Sequence, residues 1–137
     1  NARTPMQWDT GAYAGFSESD PWIMVNPNYK TINAKEQMKR ETSVFHYYKK
    51  LIALRHKYEI IVYGIYELLL PDDPDIYAYV RTLGDRKLLV VCSFSSKTVN
   101  YSIPEEFKSG TVLISNYEAG EKKSKELRPY EALVIYQ

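Results

Sequence analysis

Apolar residues recur at steps of three and four over residues 44–58, and this spacing predicts an amphipathic helix. The stripe consists of Val44, Tyr47, Tyr48, Leu51, Leu54 and Tyr58. Asn33, with Glu36 three residues later, predicts a shorter helix just before it, since this spacing resembles a capping box. A helix with one apolar stripe needs a partner surface, so the helix over residues 44–58 is expected to pack against a larger body.

From Ile60 onward, short β-branched and aromatic runs alternate with turn residues, which is typical of strands. Leu83, Gly84, Asp85 and Arg86 lie between two of these runs and predict a hairpin. The expected strands cover residues 60–63, 65–70, 76–82, 87–94, 98–103, 111–115 and 132–136. Strands this short and close together predict an antiparallel sandwich of roughly seven strands.

Residues 1–32 show neither the apolar spacing of a helix nor the alternation of strands and turns. Pro5, Pro21 and Pro27 interrupt the segment and favour a loop. The same segment carries Trp8 and Trp22 among many large apolar side chains, a content that disordered linkers lack. An ordered loop packed on another surface is therefore expected.

Composition excludes several function classes. The chain has 137 residues, with 18 basic and 17 acidic side chains and a net charge of +1. This balance argues against a nucleic-acid-binding protein, and no apolar run reaches the ~18–20 residues of a membrane helix. The single cysteine, Cys92, favours a reduced, cytoplasmic setting. The chain opens with Asn1 instead of Met, which suggests a piece of a longer protein.

The residues by themselves do not supply a convincing catalytic set. Glu18 and Asp20 are close in sequence, but no neighbouring apolar pocket is predicted that would raise the pKa of one carboxyl as a glycosidase acid requires. His46 and His56 are ten positions apart on the predicted helix, which is wrong for one ligand face. We interpret both histidines as surface or packing residues, and Cys92 as a small core residue.

The 13 tyrosines admit two interpretations. Flat aromatic faces suit sugar rings, but tyrosine is also common at half-buried strand positions. Alternation along the strands is expected to scatter the sandwich aromatics over both faces. That scatter favours a structural role over a carbohydrate-binding platform.

Several motifs occur in one family in the same order. They are Asn1-Ala2-Arg3-Thr4-Pro5-Met6-Gln7-Trp8-Asp9, Ala14-Gly15-Phe16, Pro21-Trp22-Ile23, Val25-Asn26-Pro27-Asn28-Tyr29, residues 45–52, and Leu127-Arg128-Pro129-Tyr130-Glu131-Ala132. Across its whole length the chain resembles the C-terminal part of α-glucosidases of glycoside hydrolase family 13, the α-amylase superfamily. Within that family the resemblance is to oligo-1,6-glucosidases, glucan 1,6-α-glucosidases and trehalose-6-phosphate hydrolases.

This resemblance implies an architecture. Residues 1–59 would be the end of the catalytic (β/α)₈ barrel, with the loop after strand eight, a short helix and the last barrel helix. Residues 60–137 would form the C-terminal all-β domain. The implied fold class is mainly β, an antiparallel Greek-key sandwich preceded by a loop and an amphipathic helix.

The resemblance also implies a function for a longer parent protein. It would be a retaining, exo-acting α-glucosidase cleaving α-1,6-linked or related glucosides in oligosaccharides. The catalytic carboxylates would lie upstream, so the fragment alone is expected to be inactive. Arg3 matches the family arginine that helps hold the non-reducing glucose, and it is the one candidate substrate-binding residue. No metal or organic cofactor is implied.

Two further expectations remain. The alternative function is a stand-alone carbohydrate-binding or structural β-sandwich module. If the chain is a fragment, the apolar stripe of the helix over residues 44–58 is exposed, and such a patch favours association. We therefore expect either that residues 1–43 are disordered or rearranged, or that the chain self-associates.

Overall fold

The computed structural model describes residues 3–118 and 125–137. The chain divides into two compact units, residues 1–50 and residues 51–137. The described residues are mainly antiparallel sheet with few helices. No helix within these ranges combines the length and apolarity needed to cross a membrane.

In the first unit, a long loop precedes helix α1 (Ala34–Lys39) and the start of helix α2 (Val44–Lys57). Short 3-10 turns at Ala12–Gly15 and Pro27–Lys30 interrupt the loop. The side chain of Asn33 caps α1 by accepting the Glu36 backbone N–H at 3.0 Å. The Glu36 carboxylate pairs instead with Lys39 at 2.7 Å. Both predicted helices are therefore confirmed, and α1 has the first half of the capping box.

Among its described residues, the second unit contains the short helix α3 (Ile60–Tyr63) and seven strands. The strands are β1 (Ile65–Leu69), β2 (Ile76–Leu83), β3 (Arg86–Ser93), β4 (Val99–Asn100), β5 (Thr111–Ser115), β6 (Glu126–Leu127) and β7 (Ala132–Tyr136). Five of them form an antiparallel sheet in the order β1-β2-β3-β7-β5, while β4 pairs with β6. The hairpin predicted at Gly84 is confirmed, because Leu83 pairs with Arg86.

One predicted strand is wrong. Residues 60–63 form a turn of helix, in which the Gly64 N–H donates to the Ile60 carbonyl at 3.0 Å. Ile60 is buried there, and packing overrides the β propensity of this apolar run. The strand predicted over residues 98–103 is also shorter than expected, since only Val99–Asn100 pairs.

The core lies on one side of the five-stranded sheet. Ala78, Leu89, Val91 and Ile135 are fully buried there, together with Phe107 from the connection between β4 and β5. Tyr101, which directly follows β4, and Leu127 of β6 belong to the same buried cluster. We call this side of the five-stranded sheet its core face.

We call the opposite side of the sheet its outer face. The strand registers place the side chains of this face in three rows that run across β1, β2, β3 and β7. The rows are Tyr66, Arg81, Leu88 and Tyr136; Leu68, Tyr79, Val90 and Val134; and Tyr77, Cys92 and Ala132. Cys92, predicted to be a core residue, lies on this face and is only half-buried.

Candidate functional site

Arg3, the predicted substrate-binding residue, lies in a turn at the start of the described chain with its side chain exposed. Pro5, two residues later, is buried. A planar guanidinium can bind a carboxylate and a hydroxyl at the same time, as the predicted role requires.

Residues 7–10 are tied to the far end of the same loop by backbone and side-chain hydrogen bonds. The Gln7 carbonyl accepts from Ala34 N–H at 2.8 Å, and the Trp8 carbonyl accepts from Lys35 N–H at 3.0 Å. The Gln7 amide also donates to the Asn28 side-chain oxygen at 2.9 Å. This network gives the loop after Arg3 a defined shape without regular secondary structure.

The turn at Tyr13, Ala14 and Gly15 has three successive residues at positive φ, of 50°, 58° and 66°. Non-glycine residues avoid this region, and the surrounding structure must hold them there. The Ala14 carbonyl accepts from the N–H groups of Trp8 and Asp9 at 2.9 and 3.1 Å. A β-carbon at Gly15 would lie 2.8 Å from the Asp9 carboxylate, so this position requires glycine.

The loop also forms an open cleft of about 490 Å³. Its lining residues are Ala12, Tyr13, Asp20, Pro21, Met24, Val25 and Tyr29. Aromatic rings beside one carboxylate are groups that can contact a sugar ring and its hydroxyls. Sequence reasoning did not find this cleft, because its walls are brought together by turns of the loop and not by any periodic spacing.

A second candidate lies on the outer face, where Tyr66, Tyr77 and Tyr79 form what we call the tyrosine cluster. The ring centroids of Tyr66 and Tyr77 lie 5.1 and 5.5 Å from that of Tyr79. The Tyr66 and Tyr77 hydroxyls are 3.1 Å apart, and this hydrogen bond raises the pKa of Tyr66. Burial raises the pKa of Tyr79 and of the Cys92 thiol.

Aromatic side chains lie on both faces of the sheet, as predicted, with Tyr101 and Phe107 in the core, but the tyrosines of the strands are concentrated on the outer face. Tyr66, Tyr77, Tyr79 and Tyr136 share the outer face, and Tyr101 alone of the tyrosines considered lies in the core. Alternation places Tyr77 and Tyr79 on one face because they are two residues apart. The rings are tilted by 40° and 53° to that of Tyr79, so they do not make one flat platform.

The remaining titratable groups do not assemble a metal site in the part of the chain that the structure describes. His46 contacts the Met38 carbonyl through Nε2 at 2.9 Å and packs edge-on against Phe45. His46 thus has the packing role that the helix spacing predicted.

Comparison with known proteins places these features in a family. The model of the α-amylase catalytic domain matches residues 1–64, and the model of the α-amylase SusG C-terminal domain matches residues 76–134. The chain belongs to the α-amylase superfamily, as the resemblance implied.

Individual relatives narrow this assignment. The oligo-1,6-glucosidase of Parageobacillus thermoglucosidasius is 55% identical over 98% of this chain and 25% of its own length. The solved structure of isomaltulose synthase from Klebsiella sp. LX3 superposes on this chain with a TM-score of 0.91 and 42% identity, over 99% of this chain and 25% of that one. The structure of trehalose-6-phosphate hydrolase from Bacillus licheniformis superposes with a TM-score of 0.90 and 40% identity, over 99% of this chain and 26% of that one. The chain spans about a quarter of the length of the curated relatives it matches.

Proposed function

We propose that the chain is the C-terminal portion of a retaining, exo-acting α-glucosidase that hydrolyses α-1,6-glucosidic or related bonds in oligosaccharides. The observation that carries this proposal is the 55% identity to an oligo-1,6-glucosidase across nearly the whole chain. In such an enzyme a carboxylate attacks the anomeric carbon, and a second carboxyl acts first as acid and then as base. These carboxylates belong to the longer parent protein, so the 137-residue chain by itself is expected to be inactive.

Within this proposal, residues 1–59 are the end of the catalytic barrel and residues 60–137 are the C-terminal domain, a Greek-key sandwich. Helix α2 is then the last barrel helix. Val44, Tyr48 and Leu51 of its apolar stripe are exposed in this chain and support that assignment, because they need a partner surface. The parent enzyme is proposed to work in the cytoplasm without a metal or organic cofactor.

Arg3 is proposed to bind the non-reducing glucose of the substrate together with an upstream carboxylate. Its exposed side chain on a hydrogen-bonded loop supports this role. The same loop carries the cleft lined by Tyr13, Asp20 and Tyr29. We propose that this cleft binds a sugar unit beyond the scissile bond, through contacts with its tyrosine rings and the Asp20 carboxylate.

The alternative, a stand-alone carbohydrate-binding module, has one observation in its favour. The tyrosine cluster places three aromatic rings on one face of the sheet. Isothermal titration of the 137-residue chain with isomaltose separates the two proposals. Binding at millimolar concentration or below would support the module, and no heat change would support the enzyme fragment.

The activity itself is tested with the natural gene product that contains this chain, about four times as long if it resembles the relatives. We expect it to release glucose from isomaltose, with the α-anomer appearing first in proton NMR spectra, and the 137-residue chain to release none. Trehalose 6-phosphate and sucrose serve as competing substrates. Faster turnover of trehalose 6-phosphate, or formation of isomaltulose from sucrose, would replace the proposed substrate class.

A further inference from the structure

The turn formed by Tyr13, Ala14 and Gly15 contains a run of left-handed backbone. All three residues have positive φ, and nowhere else in the described ranges are two such residues adjacent. A β-carbon meets steric resistance in this region, so Tyr13 and Ala14 are held there against their own preference. Strained backbone persists only where its surroundings impose it, and it is concentrated at functional sites. The turn is therefore a candidate part of a site.

The side chain of Asp9 holds both ends of this turn. Its Oδ1 atom accepts the Gly11 N–H at 2.8 Å, just before the turn begins. The same carboxylate occupies the space beside Gly15, where a β-carbon would lie 2.8 Å from Oδ1 and 3.1 Å from Cγ. The middle of the turn is fixed as well, because Ala14 is fully buried. One carboxylate therefore requires glycine at the end of the turn and supports the strained residues before it.

The strained turn forms part of the cleft wall. Ala12 and Tyr13 line the cleft from the turn, while Asp20 and Tyr29 line it from later parts of the loop. Tyr13 is half-buried, as a side chain in the wall of a cleft should be. Backbone conformation sets the direction in which a side chain leaves the chain. Relaxing the turn would therefore redirect the Tyr13 side chain.

Tyr29, the other aromatic residue of the cleft, is tied to the same part of the loop. The Lys30 ammonium lies 4.5 Å from the centre of the Tyr29 ring. The same ammonium donates a hydrogen bond to the Thr10 carbonyl at 2.9 Å. Residues 9–11 therefore help to place both tyrosines, and they do so without a bound ligand.

We propose that Tyr13 determines substrate specificity in this cleft and that Asp9 is the positioning residue that holds it there. The ligand is the glucose unit that follows the scissile bond of an α-1,6-linked oligosaccharide. The C–H groups on the faces of a glucose ring pack on an aromatic ring, and its hydroxyls donate to acceptors such as the Asp20 carboxylate. A side chain fixed in advance loses little conformational freedom on binding, so a rigid turn strengthens this contact. The inference rests on the proposed function, because it requires an enzyme that cleaves such substrates.

The test uses the full-length parent protein and two substrates. Isomaltose has a glucose unit after the scissile bond, whereas α-glucosyl fluoride has none. The ratio of kcat/KM for isomaltose to kcat/KM for α-glucosyl fluoride isolates contacts with that unit, because damage elsewhere in the enzyme lowers both values together. We expect Tyr13→Asn to lower this ratio about fivefold or more, and Tyr13→Phe, which retains the ring, to lower it less than about twofold.

Asparagine is the informative replacement because it tolerates positive φ, so Tyr13→Asn removes the ring without adding strain. Tyr63→Asn is the matched control, since Tyr63 is 72% exposed on α3 in the second unit. This control should leave the ratio within about twofold of that of the unchanged protein. A fall in Tm of Tyr13→Asn with an unchanged ratio would show that Tyr13 is only structural and would overturn the inference.

Variants of Asp9 test the positioning role. Asp9→Ala removes the acceptor of the Gly11 N–H, and we expect it to lower the same ratio about threefold or more, although Asp9 is not among the residues that line the cleft. Asp9→Asn keeps an oxygen acceptor and should restore the ratio to within about twofold of that of the unchanged protein. An unchanged ratio in Tyr13→Asn or in Asp9→Ala would overturn the inference and leave the proposed function intact. A full-length protein that hydrolyses neither substrate would refute the proposed function and, with it, the inference.

Discussion

The Arg128 guanidinium holds the Glu131 carboxylate in a bidentate pair, with Nη2 2.7 Å from Oε1 and Nε 3.1 Å from Oε2. The Arg128 backbone N–H donates to the same carboxylate at 2.8 Å. Glu131 is buried, whereas Arg128 is partly exposed and stacks over the Tyr117 ring at 4.1 Å. The pair closes the turn that leads into β7, a central strand of the five-stranded sheet.

This pair makes the stability of the sheet depend on pH. Burial acts to raise the pKa of Glu131, but the hydrogen bonds and charge of Arg128 outweigh it and hold that pKa below its ordinary value. A lowered pKa in the folded state means that the stabilisation is complete above the ordinary pKa near 4.5 and is lost as the pH falls through the folded-state pKa. We expect Glu131→Gln to cost about 1–3 kcal/mol in free energy of unfolding at pH 7, measured by urea denaturation.

The difference between Glu131→Gln and the unchanged chain should begin to shrink below pH 4.5 and disappear once the pH is below the lowered folded-state pKa of Glu131, since the side chains at position 131 are then uncharged in both proteins. Glu105→Gln is the matched control, because the Glu105 carboxylate pairs with Lys108 on the surface and is 85% exposed. It should change stability by less than about 0.5 kcal/mol. A constant difference between the two variants from pH 7 to pH 3 would contradict the assignment of Glu131.

Substitutions at two glycines of the second unit distinguish the cost of backbone strain from the cost of a steric clash. Gly84 has φ +62° in the β2–β3 hairpin, and a β-carbon there would meet nothing within 4 Å. At Gly110 a β-carbon would lie 2.7 Å from Ile135 Cγ2 and 2.8 Å from the Tyr136 carbonyl oxygen. We expect Gly84→Ala to cost about 1 kcal/mol and Gly110→Ala at least about 2 kcal/mol, both measured by urea denaturation.

Gly84→Asn is the control for the first of these changes. Asparagine tolerates positive φ, so this variant should lose less than about half of what Gly84→Ala loses. Equal losses for the alanine and asparagine variants would show that strain at Gly84 is not the cause.

The parts of the fold that were predictable from sequence are those set by local signals. Asn33 caps α1, the stripe from Val44 defines α2, and Gly84 defines the hairpin, each through residues within a few positions of one another. Residues 60–63 were predicted wrongly because their helical turn depends on packing against β2 and β3. The pairing of β4 with β6 joins residues more than twenty positions apart, and no local pattern marks it.

The candidate site was less predictable than the fold. Arg3 was found only through family resemblance, since a single arginine in a loop carries no local signal. The cleft around Tyr13 depends on left-handed backbone that a tyrosine rarely adopts. Two members of the tyrosine cluster could have been found from sequence, because residues 77 and 79 of one strand must lie on the same face. Placing Tyr66 beside them requires the pairing register of β1 with β2, which the sequence does not reveal.

A substrate role for Arg3 predicts a specific kinetic pattern in the full-length protein. Arg3→Lys keeps the charge but removes the planar fork that binds a carboxylate and a hydroxyl together. We expect kcat/KM for isomaltose to fall about 100-fold or more, as loss of a charge-assisted hydrogen-bond pair implies. Steady-state kinetics at saturating and limiting isomaltose measures this change.

Arg40→Lys is the control for Arg3→Lys, since Arg40 follows α1 with its side chain exposed. Its kcat/KM should stay within twofold of the unchanged protein, and the Tm of both variants should stay within 2 °C of it. A fall in Tm of the Arg3 variant that parallels its loss of activity would indicate a structural role.

Helix α2 predicts the behaviour of the 137-residue chain in solution. Val44 and Tyr48 are 69% and 64% exposed, and Leu51 continues the same stripe one turn further on. Exposed apolar surface on one helix face favours pairing with a second copy. We expect sedimentation velocity to show a concentration-dependent dimer, and Tyr48→Gln to weaken dimerisation at least tenfold. Lys49→Gln, at the next position outside the stripe, should weaken it less than twofold. A monomer at all concentrations, or equal effects of the two glutamine variants, would show that this face does not pair.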